Sequence, residues 1–338
     1  MRERMLVSGP LHRMDGSLAE SGYAFSQLKT FDPRLVKAPA RHWRAWNRFL
    51  VFSEAAALDL SVLDIGGRRL GRIALVDFDS KEHLTARWRD KTANQKSGLP
   101  PDADRGTARA QSQLYEINLV SQPGARALYG HAYNLKEGGR ELLFDIELTD
   151  PGLERLATVD ACPGKPVHFD YRQTLPCLSA QGRVVWGDRD YLFSPAVSFA
   201  MMNWRRAAWP GRETALWGTA CGVAAGRTIG LRFIKGMGTG AAEGECCLFV
   251  NGKALPPGRL SMDMPKNGLG PPNRLRDGDG RLELAFEPRA LIREAGQPLR
   301  GLPGWQQAFG RFTGFVRPDG GKELALTGMP GCIELGKL

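Results

Sequence analysis

The chain has no apolar run of about eighteen residues, so no segment reads as a membrane-spanning helix. Its N-terminus, MRERMLVSGPLHRMDG, carries charge without the apolar stretch of a secretory leader, and the expected location is cytoplasmic. No run of five like charges occurs, which excludes a polyionic tail. Its 6 cysteines and 5 histidines show neither a Cys-x-x-Cys pair nor Cys/His spacing suited to zinc, so neither a metal nor a cofactor is expected. The glycines of KGMGTGAAEGE (Gly236, Gly238, Gly240) lack the Gly-Lys-Ser/Thr ending of a phosphate loop, and Ser61, Ser121 and Ser198 stand outside any Gly-x-Ser-x-Gly elbow. No complete catalytic constellation is spelled out.

What is present describes a globular protein. With 338 residues, 42% hydrophobic and 24% charged, the chain is long enough for about two domains, each with its own core. The formal net charge of +10 invites a nucleic-acid reading, but the basic residues are scattered in ones and twos among acids. A solvated surface explains them, and no nucleic-acid partner is expected. Adjacent Cys246 and Cys247 would point to opposite faces of a strand, which favours free buried thiols.

Short apolar alternations separated by glycine turns predict an all-β chain of two tandem antiparallel barrels or sandwiches with few short helices. After an arm of about forty residues, WRAWNRFLVFS and AALDLSVLDI read as strands, and Gly66-Gly67 turns the second into RLGRIALVDFD. Residues 90–113 lack a hydrophobic period and read as a long loop. LERLATV reads as a helical turn, and VHFDYRQTL and RVVWGD as separate strands joined through Ser179 to Gly182. In the second half, ETALWGTACGV and TIGLRFIKG pair, Asn251-Gly252 makes a hairpin, and RALIREAG is a brief helix after Pro288. The break at Gly187-Asp188-Arg189-Asp190 places the domains at 1–190 and 191–338.

One stretch is unusually rich in large side chains. Phe199 to Gly218 holds Trp204, Trp209 and Trp217 together with Arg205 and Arg206. Tryptophan offers a rigid apolar face and arginine a forked donor for an acidic group, so the run reads either as a ligand-cavity wall or as core tryptophans capped by arginines. On another predicted strand His168 and Asp170 share a face beside Tyr171, as an acid–base pair or a structural contact.

The order YRQTLPCLSAQGRV, MNWRRAAWP with Trp217-Gly218, IGLRF, LFVNGKAL, LELAFEP and FGRFTGFVRPDGGKELALTGMPGCIEL resembles the bacterial family known as domain of unknown function 2804. That family is distantly similar to the tandem lipocalin-like proteins that include carotenoid 1,2-hydratases and natural-product cyclases. The resemblance implies two calycin-type barrels with a hydrophobic cavity at or near their interface. In those relatives an acidic residue donates a proton to an alkene; the matching position here is Asn203, a carboxamide that orients but does not protonate. An acid would then have to come from Asp170, Asp263 or Glu334, with His168 as the helper. The leading reading is a binding protein for a hydrophobic or amphipathic small molecule such as a lipid or isoprenoid, through Tyr171, Asn203, Trp204, Arg206, Trp209, Trp217 and Asp263. The alternative is an enzyme of hydratase, isomerase or cyclase type using His168 and Asp170, and nucleic-acid binding through the basic balance ranks third.

Overall fold

The computed structural model describes the whole chain except residues 1–4, 93–97, 134–139, 211–213, 237–243, 264–268, 270–272, 294–304, 319–320 and 338. Apart from the short 3-10 turns Pro33–Leu35 and Ala40–His42, every element longer than a turn among the described residues is a strand. A 13-stranded sheet carries the first part of the chain and a 9-stranded sheet the second. The second closes on itself, because Arg227–Lys235 pairs with Thr214–Ala224 on one side and Gly244–Val250 on the other. Period-two alternation makes this possible: the sheet's inward positions, such as Ile229, Leu231 and Phe233, are apolar and pack into one core. The first sheet has its own core, from Phe49 and Val51 round to Met202 and Trp204.

Most predicted strands are present with nearly the expected limits: Trp43–Phe52, Ala56–Ile65, Arg68–Asp77 and His83–Arg89 form the expected meander. Its Gly66-Gly67 turn, like Asn251-Gly252 later, sits at positive φ, as these tight hairpins demand. Four expectations are corrected. Residues 106–111 of the presumed long loop form a strand paired with Tyr115–Gln122, its inward positions being the small Ala108 and Ala110. LERLATV ends in the strand Leu156–Cys162 rather than a helical turn, since both faces of its first residues are buried against neighbours. The Arg289–Arg293 part of RALIREAG continues the strand Leu282–Arg293, with Pro288 absorbed at an irregularity in the ladder, and the rest lies outside the described residues. VHFDYRQTL and RVVWGD belong to one 22-residue strand, Lys165–Trp186, which passes through a bulge at Leu175/Leu178. Most of the 236–240 glycine run lies outside the described residues.

The strand Phe199–Ala208 also falls elsewhere than expected. It pairs with Trp43–Phe52 on one side and Lys165–Trp186 on the other, so the sheets part between Ala208 and Thr214 rather than at 190/191. Gly187 is merely the turn between Lys165–Trp186 and its partner Arg189–Phe193.

The two barrels pack back to back. Leu50, Phe52, Ala74, Val76 and Met201 of the first sheet meet Trp217, Cys221, Ile292, Phe309 and Cys332 of the second in a separate apolar cluster. Beside it runs a buried polar chain. Arg48 forks onto Asp59 (2.9 and 2.7 Å) and reaches Glu334 of the second sheet at 2.7 Å. Arg72 donates to Asp59 at 2.5 Å and to Gln307 of the second sheet at 2.6 Å, and the Gln307 amide returns a bond of 2.9 Å to Asp59. Burial by itself would make the Asp59 carboxyl harder to ionise, but Arg48 and Arg72 outweigh it and hold the group well below the usual carboxylate range.

Because the Asp59 pKa is depressed in the folded state, its stabilisation is complete above the unfolded value near pH 4 and disappears as pH falls through the folded one. Asp59→Asn is therefore expected to cost about 3–5 kcal/mol at neutral pH. Urea unfolding across the acid range should also show a shallower fall in stability than wild type; parallel curves would contradict the account.

Candidate functional site

A cavity lies on the seam between the barrels, lined by residues of both sheets. From the first come Trp46 and Arg48 of Trp43–Phe52, Arg172 and Thr174 of Lys165–Trp186, and Asn203 of Phe199–Ala208; from the second, Trp217, Arg232 and Glu334. Its free volume is ≈ 40 Å³, room for a few waters.

Strand alternation decides who reaches it. Along Phe199–Ala208, Ala200, Met202 and Trp204 belong to the first barrel's core, whereas Phe199 and Met201 belong to the seam cluster. Asn203 follows the odd-numbered set and lines the cavity. Its Oδ1 accepts from the Trp46 indole N–H at 3.0 Å. The Trp46 ring in turn lies 4.7 Å from the Arg205 guanidinium, and Trp217 lies 5.1 Å from that of Arg48.

Behind the wall is a second charge network. Arg205 grips Asp170 bidentately at 2.7 and 2.8 Å. Arg172 approaches Asp170 at 3.6 Å and bonds Asp160. Arg172 is fully enclosed, and burial, which lowers its affinity for the proton, is outweighed by Asp170 and Asp160. Even so, Arg172 Nη1 and Arg205 Nη1 are buried without a hydrogen-bond partner. The seam thus holds guanidinium donors that the chain itself does not use.

The residues singled out from sequence are dispersed by the fold. Asn203 and Trp217 line the cavity, and Asp170 stands one layer behind it. Trp204 and Tyr171 face the interior of the first barrel, in edge contact at 5.2 Å, and the Arg206 guanidinium lies 4.3 Å over Trp204. Trp209 follows the strand end, its backbone N–H bonded to His42 at 2.9 Å. Asp263 is exposed on the second barrel and faces Arg276 at 3.5 Å. Nor do His168 and Asp170 form a pair: Asp170 is committed to arginines, and His168 Nε2 meets His42 Nδ1 at 2.9 Å while its Nδ1 has no partner. The two imidazoles share one hydrogen bond. Burial, followed by nearby cations, lowers the proton affinity of both. The wall residues Trp46, Arg48, Arg172 and Arg232 carried no sequence signal beyond their place in alternating strands. Among the described residues no cluster of three or more His, Cys, Asp or Glu suits a metal ion.

Since Asp170 is a counter-ion for two enclosed guanidiniums, Asp170→Ala is expected to cost about 3–5 kcal/mol of stability. Urea unfolding measures this directly, and a loss below about 1 kcal/mol would contradict the structural role.

Residues 2–337 match the family profile described as Domain of unknown function (DUF2804). No curated protein matches the chain. Among solved structures, kievitone hydratase from Nectria haematococca is similar at 11% identity and TM-score 0.57, covering 89% of this chain and 91% of its own. CghA with Sch210972 is similar at 11% identity and TM-score 0.52, with 88% of each chain covered. These likenesses show the fold, a tandem lipocalin-like pair of barrels. With the profile spanning almost its whole length, the chain belongs to the DUF2804 family.

Proposed function

We propose that this protein binds an amphipathic small molecule at the seam, its apolar body against Trp46 and Trp217 and an oxygen-bearing head group against Arg172. The observation that carries the reading is the meeting, on one cavity, of tryptophans from both barrels and a guanidinium whose Nη1 has no partner in the chain. Aromatic walls with a small number of placed polar groups are the usual make-up of a small-molecule site. Because the cavity is only ≈ 40 Å³, a ligand larger than a few waters enters as the seam opens, so binding is coupled to movement of one barrel against the other.

A second reading, an enzyme of hydratase, isomerase or cyclase type acting on a hydrophobic substrate, draws on Glu334, a carboxylate on the cavity wall, and on kievitone hydratase as a bearer of the same fold. Binding is the stronger reading because Glu334 is bonded to Arg48 and Asp170 to Arg205, so both carboxylates already serve as counter-ions.

Titration with dodecanoate, followed by tryptophan emission and native mass spectrometry, tests the site. Wild type is expected to show saturable change and a one-to-one adduct, Trp217→Ala to blunt both, and Arg172→Met to weaken binding about tenfold or more. No saturable change and no adduct would overturn the reading.

A further inference from the structure

A second cavity, ≈ 310 Å³, opens at one end of the first barrel and shares no lining residue with the seam. Val36, Ala38 and Pro39 of the N-terminal arm, Trp43 and Ala208 give it an apolar wall. The exception is Asp64, at the end of the strand Ala56–Ile65. This carboxyl is only 7% exposed, and its Oδ1 is buried with no hydrogen-bond partner. An acceptor left without a donor in such a place is costly unless something supplies one.

The surrounding charges narrow the choice of donor. Arg69 and Arg206 both act electrostatically on Asp64. Their hydrogen bonds run to neutral oxygens: Arg69 to the carbonyls of Arg109 (3.0 Å) and Gly98 (2.8 Å), Arg206 to the Pro100 carbonyl (2.5 Å) and Asn47 Oδ1 (2.8 Å). A cationic ligand at Asp64 would meet two guanidiniums, and an anionic one would meet the carboxyl. A neutral O–H meets neither penalty. Burial, partly offset by Arg69 and by the Gly67 backbone N–H and Trp43 indole N–H that approach the carboxyl, raises the Asp64 pKa, in keeping with a group whose remaining oxygen, Oδ1, favours a neutral partner.

We infer that this cavity binds a neutral apolar molecule carrying a hydroxyl group, which donates to Asp64 Oδ1 while its apolar body packs on Trp43 and the arm. The site is independent of the seam reading.

The test compares two ligands of nearly the same shape, 2-naphthol and 2-methoxynaphthalene, by isothermal titration and ligand fluorescence. The naphthol is expected to bind wild type at least about tenfold more tightly, since only it has a proton to donate. Asp64→Leu should bring the naphthol to the ether's affinity, and Ala38→Trp, filling the cavity from its half-buried rim, should weaken both. Trp217→Ala on the seam should change neither, which separates this site from the other. Equal affinities in wild type need no variant to interpret and would overturn the inference, as would a naphthol preference that survives Asp64→Leu.

Discussion

The architecture depends on a strand that is buried on both faces. Every residue of Phe199–Ala208 is buried, so the two-residue alternation of a strand assigns each side chain to one of two cores. Trp204 fills the first barrel while Met201 and Phe199 fill the seam. A one-residue slip would exchange the sets, driving Trp204 and Arg206 into the seam and Asn203 and Arg205 into the barrel. Register here is therefore as constrained as packing, and it places Asn203 on the cavity wall.

The second condition is electrostatic. Arginines at the seam are far from bulk water, and a buried charge is tolerable only with a partner and satisfied donors. The partners come from distant parts of the chain: Arg48 takes Asp59 within its own meander and Glu334 from the last strand, and Arg72 reaches Gln307. These bonds favour one resting orientation of the barrels, which apolar contact alone would leave less specific. Where the partnering is incomplete, at Arg172 and Arg205, the spare donors lie at or just behind the cavity wall.

Much of the fold was legible in sequence because alternation and turn chemistry are local. Asn251-Gly252 announced a hairpin, which is present, and the alternation of buried Leu282, Leu284 and Phe286 with exposed neighbours is equally local. Failures came where tertiary partners override a local cue. Ser179 to Gly182 read as a join between two strands, yet the ladder runs through them, paired with Leu142–Thr149. Residues 106–111 have no large apolar side chain to mark an inward face, because alanines suffice there. The site was less legible than the fold. Tryptophan density drew attention to the right strand, but density says nothing of which face a residue takes, so Trp204 and Arg206 were grouped with Asn203 although they lie on opposite sides. His42 and His168, 126 positions apart, meet only through the sheet.

On the proposed reading the seam between the barrels, and not the filled interior of either, receives the ligand. A crystal structure determined in the presence of dodecanoate tests it most directly. The account predicts ligand density between the sheets, with its carboxylate within hydrogen-bond distance of Arg172 and its chain against Trp46 and Trp217. Density inside the first barrel beside Trp204 and Tyr171, with the seam unchanged, would contradict it.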